Sequence, residues 1–193
     1  MKIIFNPFEK FSTNTQLIFG ILISVAGCFL AYQFNAHYDG ALDIHFADAV
    51  PLHIPFLEIV LDTACLGMAL FVAAKTINPK TRSIDIFSTV LVARFPLYLI
   101  PPMNYNNRMY EETMAITEMA MRNQTNFAIP DMAFFLAFSA LSLLLLVWFF
   151  VLLWNGYKVA CNAKGTTAVL AFIGAIIIAE IISKILIIYT FPL

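Results

Sequence analysis

Five charged residues stand where the chain is otherwise apolar enough to cross a bilayer: Glu58, Asp62, Arg94, Glu180 and Lys184. Glu58 and Asp62 are four apart, as are Glu180 and Lys184, so each pair shares one helical face. Arg94 interrupts "IDIFSTVLVARFPLYLIPP", residues 84–102. A guanidinium keeps its charge under ordinary conditions, and a lone one near mid-bilayer costs at least about 2.5–3.5 kcal/mol. Charges at such depth do one of two things. They pair with each other and fix helix register, or they line a pocket that handles an ion, a proton or a lipid head group.

The elements that must position them are membrane spans. The chain has 193 residues, 61% hydrophobic and 12% charged, whereas soluble domains carry about 25% charged residues. Apolar runs of about 20 residues mark spans, and five occur, at about 16–34, 55–74, 84–100, 131–154 and 167–189. The expected architecture is all-α and integral to the membrane. Residues 1–15 form a short interfacial segment and 16–193 a single five-helix domain. In the opening "MKIIFNPFEKF", Asn6 can cap a helix, Pro7 suits its first position and Glu9 its third. Phe8 and Phe11 would then share a face.

Orientation follows from Lys and Arg. Lys2, Lys10, Lys75, Lys80, Arg82, Lys158 and Lys164 fall on one side, and only Arg108 and Arg122 on the other. The N-terminus is expected in the cytoplasm and the C-terminus outside. At 1.5 Å per residue, Asp62 then lies about 11–12 Å below the outer end of its span, Arg94 about 10 Å, Glu180 about 13 Å and Lys184 about 7 Å. Ser139 and Ser142 reach a similar zone on the fourth span. Matched depth and opposite charge predict that Arg94 pairs with Glu58 or Asp62. Ala171, Ala175 and Ala179 make a small-residue strip suited to close helix approach, with Ile178, Ile181 and Ile185 facing lipid.

The first outer loop, "NAHYDGALDIHFADAVPLHI", holds three His and three Asp without Lys or Arg. His45, Asp48 and His53 are its best metal-ligand trio, but their spacing matches no metal motif, and no cofactor is expected. The second outer loop contains a short helical pattern, "EETMAITEMAMRN", whose Met114, Met119 and Met121 read as adaptable packing surface. Asn123-Gln124-Thr125 is a glycosylation acceptor pattern. The three cysteines lie in spans or an inner loop, which implies no disulfide framework.

Catalysis is not expected. There is no phosphate-binding Gly loop, no paired-His metalloprotease helix and no nucleophile elbow. A net charge of −1 with no basic stripe excludes a nucleic-acid partner.

The five spans, the Asn6-Pro7-Phe8 opening, the Arg94-Phe95-Pro96 element and "WNGYKVACNAKG", which begins Trp154-Asn155-Gly156-Tyr157-Lys158, resemble bacterial members of the Ypt-interacting protein (Yip) domain family. The resemblance implies a five-span helical domain of the inner membrane with a cytoplasmic N-terminus. Eukaryotic members act in vesicle trafficking with small GTPases through a longer cytosolic N-terminal region. Here about fifteen residues precede the first span, so a GTPase partner is not expected. The expectation is a non-enzymatic protein that organises membrane or unidentified partner proteins and contacts anionic lipid through its basic loops. The alternative is a small transporter or an ion- or lipid-handling protein that uses the charged layer.

Overall fold

The computed structural model describes residues 2–122 and 129–190. Its helices are α1 (Lys2–Phe5), α2 (Thr13–Gln33), α3 (His53–Ile77), α4 (Ser83–Ala93), α5 (Arg108–Met121), α6 (Ile129–Cys161) and α7 (Gly165–Thr190). Two short strands, β1 (Ala36–His37) and β2 (His45–Phe46), pair antiparallel between α2 and α3. Five helical segments are long and apolar enough to span a bilayer. The glycosylation pattern at 123–125 lies outside the described residues.

The burial pattern is inside-out relative to a soluble protein. Large apolar side chains such as Leu22, Val60, Val72, Leu144 and Leu170 are more than 60% exposed, while Glu58, Asp62 and Arg94 are completely buried. An apolar exterior around a charged interior is what lipid as solvent demands. Ile178, Ile181 and Ile185 face outward, while Ala175 and Ala179 are buried on the side where α7 packs along α3.

The third apolar segment is the most enclosed. Within the most apolar 18 residues of each segment, 61% are buried in the third against 22–44% in the others. It is not a continuous helix over 84–100. α4 stops at Ala93, because Pro96 has no N–H to give Val92. The Val92 carbonyl instead accepts from Phe95 N at 3.2 Å, and successive three-residue turns carry the chain on through Ile100. Non-helical backbone at membrane depth is tolerated only inside protein. The turns after α4 meet that condition: Leu97 and Tyr98 are buried, and Leu97–Leu99 packs against α2 and α6. Close approach is built in: a Cβ at Gly20 would come 2.6 Å from Leu91, and one at Gly156 would overlap Thr89.

The N-terminal segment differs from its expected form. The helix precedes Asn6 and does not begin there. α1 ends at Phe5, since the residue before a proline is pushed out of the helical region. Pro7 then opens a turn whose carbonyl accepts from Lys10 N and Phe11 N, both at 3.1 Å. Phe8 is buried and Phe11 exposed, so the two do not share a face. The segment is fastened to α6: Trp148 Nε1 donates to Ile4 O at 3.0 Å and Asn155 Nδ2 to Phe5 O at 2.8 Å.

The remaining residues of the Trp154–Lys158 stretch also have structural work. Trp154 and Tyr157 each pack on Phe172 of α7, with ring centroids 5.0 and 5.2 Å away. α6 ends in a Schellman turn. Asn162 takes a left-handed φ of 53°, and Ala163 N donates to Lys158 O at 3.1 Å.

Candidate functional site

The charged layer is built around the loop between α2 and α3. α2 ends at Gln33, and two residues on Asn35, with a left-handed φ of 50°, turns the chain back on itself. The two strands then pair Ala36 with Phe46 and His37 with His45. Residues 38–44 between them dip into the bundle and meet α3, α4 and α7.

Each intramembrane charge finds a partner there. Arg94 Nη2 donates to Asp62 Oδ2 at 2.9 Å, with both side chains completely buried. Arg94 Nη1 donates to the Ala41 carbonyl at 3.3 Å, and the guanidinium lies 5.8 Å from the centre of the Tyr38 ring. Glu58 is taken by the loop: its Oε1 is 2.6 Å from His37 Nδ1, and its Oε2 accepts from Tyr38 N at 2.9 Å. Glu180 Oε2 accepts from Leu42 N at 2.9 Å, and Ser183 Oγ from Ala41 N at 3.0 Å. Lys184 Nζ donates to Asp43 Oδ2 at 2.5 Å and lies 3.7 Å from Glu180 Oε1. A Cβ at Gly40 would sit 3.0 Å from both Glu180 carboxylate oxygens, so a larger residue there would press on that carboxylate.

Glu58, Asp62, Arg94, Glu180 and Lys184 therefore form one layer: Arg94 pairs directly with Asp62 and Lys184 with Glu180, and the loop joins these pairs and Glu58 to one another. Ser139 and Ser142 do not belong to it. Ser139 is exposed and bonds back to Phe135 O at 2.9 Å, and the buried Ser142 hydroxyl has no partner among the described residues.

His45, Asp48 and His53 do not converge either. Strand register sets His45 opposite His37, while Asp48 and His53 are exposed farther along. The group that does converge is His37, Asp39 and Glu58, whose ligand atoms lie within 4.8 Å of one another. His45 Nδ1 donates to Asp39 Oδ2. That hydrogen bond to a carboxylate raises the His45 imidazole above its ordinary range, against the opposing effect of partial burial. The protonated His45 imidazole is therefore favoured when folded.

Sequence reasoning missed His37, Tyr38, Gly40, Ala41, Leu42 and Ser183. The available signal was a loop rich in His and Asp, with an Asp-Gly step, next to spans with unpaired acids. A second polar set was also missed. Asn35 Nδ2 donates to Asn107 Oδ1 at 2.9 Å, Asn107 Nδ2 to Asp48 O at 3.1 Å, and Asn104 Nδ2 to Phe34 O at 2.8 Å. These three Asn tie the first loop to the turn that precedes α5.

The fold and the layer together define a class: an all-helical, multi-pass membrane protein whose innermost charges, Glu58, Asp62 and Arg94, are completely buried beneath its own first loop. No protein-family model, no curated protein and no solved structure matches the chain, so the Yip resemblance rests on its short motifs alone.

Proposed function

We propose that this is a non-enzymatic Yip-like protein of the bacterial inner membrane that organises membrane or partner proteins. The N-terminus and the basic connections lie in the cytoplasm. The observation that carries this reading is closure of the charged layer. Glu58, Asp62 and Arg94 have no exposure at all, and the loop backbone is bonded to Glu58, Ser183, Glu180 and Arg94. The large grooves lie elsewhere and are apolar. One of about 650 Å³ runs between α3 and α7 beside Met68 and Ile178, and another of about 700 Å³ between α6 and α7 beside Val147 and Ile173. Transport through the layer would require the loop to leave five hydrogen-bonding partners, Glu58, Arg94, Glu180, Ser183 and Lys184.

The basic end supports contact with anionic lipid. Lys75, Lys80, Arg82, Lys158 and Lys164 flank the inner ends of α3, α4, α6 and α7, where each basic residue near a charged surface contributes about 1 kcal/mol of attraction. Reconstitution into liposomes tests the proposal. No flux of protons, alkali cations or anionic solutes should exceed that of empty vesicles. Floatation with liposomes of increasing anionic-lipid content should show soluble vesicle-binding partners or vesicle clustering that neutralising these five residues weakens. A saturable flux abolished by Arg94→Ala would overturn it.

A further inference from the structure

The loop carries two imidazoles and two carboxylates in one place. His37 and His45 are directly opposed across the strand pair, and their rings stack 4.8 Å apart at 7°. Asp39, two residues beyond His37, reaches the His45 imidazole. Glu58 arrives from α3 against His37. Nδ1 of each imidazole thus faces a carboxylate oxygen, and the two contacts lie side by side. Among the described residues, His37, Asp39 and Glu58 are the group of three or more ligand side chains gathered closely enough to hold one ion. One oxygen is also left over: Asp39 Oδ1 is buried without a partner among the described residues.

We propose that His37, Asp39, His45 and Glu58 bind one divalent transition-metal ion of the zinc class. The ion takes the place of the protons now shared within the two imidazole–carboxylate contacts, and those protons leave to solvent. Two neutral nitrogens and two carboxylates balance a 2+ charge. With bonds of about 2.0–2.2 Å, neighbouring ligand atoms around tetrahedral zinc lie about 3.3–3.5 Å apart. Side-chain rotation must therefore close separations of up to 4.8 Å among His37, Asp39 and Glu58, and bring in His45, which touches that group through Asp39. Tyr38 N holds the second Glu58 oxygen, the kind of outer contact that fixes a ligand's orientation. Imidazole pairs select against Mg²⁺ and Ca²⁺, which take all-oxygen shells.

Access is from the loop side, where the His45 and Asp39 side chains are 36% and 19% exposed. Passage onward is closed. The next turn of α3 carries Asp62, already bound to the fixed positive charge of Arg94. The ion braces the loop on α3 and is not cargo.

The test uses the full chain in detergent, stripped with chelator and desalted, then titrated with Zn²⁺. Wild type should retain about one ion per chain, and excess Mg²⁺ should not displace it. Asp39→Asn with His45→Gln, both at the exposed edge, should weaken Zn²⁺ at least about 100-fold, the upper end of what loss of an outer contact alone produces. His53→Ala should bind as wild type does. X-ray absorption of the zinc-loaded wild type keeps the proposal testable if the double variant does not fold. It should show a nitrogen–oxygen shell with two imidazoles. A folded wild type that retains no stoichiometric Zn²⁺, an unchanged double variant, or a sulfur scatterer in the shell would overturn the assignment.

Discussion

Arg94→Ala removes the guanidinium on which the layer turns. Three interactions go with it: the 2.9 Å bond to Asp62, the 3.3 Å bond to Ala41 O and the contact with the Tyr38 face. Asp62 fares worst. Its Oδ1 is already without a partner among the described residues, so loss of Arg94 leaves both carboxylate oxygens bare in a site with no exposure. Breaking one side of a buried pair costs about 3–5 kcal/mol, while the lost bond to a neutral carbonyl accounts for only about 0.5–1.5 kcal/mol. Snorkelling relieves a charge only when its side chain can reach the interface, and complete burial closes that route. The expected loss is therefore about 3–5 kcal/mol. Combining Asp62→Leu with Arg94→Met removes both charges and keeps the volume, so the pair should recover to within about 1 kcal/mol of wild type. Reversible unfolding in mixed micelles, followed by Trp fluorescence for wild type, Asp62→Leu, Arg94→Met and the double variant, measures the coupling, with Arg94→Ala read beside the cycle. A coupling below about 0.5 kcal/mol, the ordinary scatter of independent sites, would refute the pairing of Arg94 with Asp62 as the source of this stability.

Gly40→Ala pushes a methyl into the Glu180 carboxylate and should cost about 1–3 kcal/mol by overpacking, whereas the same change at Gly174, where nothing lies within 4 Å, should be neutral or mildly stabilising in the same unfolding assay. Asn162→Val forces a β-branched residue into φ 53° and should cost about 1–2 kcal/mol, while Asn162→Gly should be neutral or better. Asn155→Ala frees the Phe5 carbonyl and should cost about 0.5–1.5 kcal/mol, with faster proteolysis before α2 as the visible sign. Cysteine reporters at exposed Asp48 and Asn106 should label from outside in intact cells, and those at Lys80 and Lys164 only after permeabilisation; the reverse pattern would invert the topology.

The spans were legible because an apolar run of bilayer length has few other uses. The Arg94–Asp62 contact was legible in outline, since depth and charge left two carboxylates in range. Glu58 proved to be the other one, taken by His37 and Tyr38, and nothing in the spans themselves distinguishes the two. Pro96 announced an irregularity in the third span, but a proline alone does not say whether the chain kinks and resumes or goes on in tighter turns. The loop was the real gap. Its polar residues look like solvated surface, and the destination of its backbone N–H and C=O groups depends on contacts more than a hundred residues away. Strand register was equally invisible, because two-residue strands carry no periodicity. Spacing alone therefore groups His45 with Asp48 and His53, although its ring neighbour is His37.

The loop also sets a timetable for biogenesis. Ala41 and Leu42 bond to Ser183 and Glu180, separations of 142 and 138 residues, yet the loop leaves the ribosome long before α7. At about 5–20 residues per second, the loop and the acids of α3 wait on the order of ten seconds or more for the last helix. The Arg94–Asp62 bond spans only 32 residues, so both of its partners are made before α6 and α7. A nascent chain arrested before α7 would display unsatisfied loop amides beside an unfilled groove on α3. Such a surface would suit recognition by a membrane quality-control protease, which would let the cell distinguish an unfinished copy from a complete one.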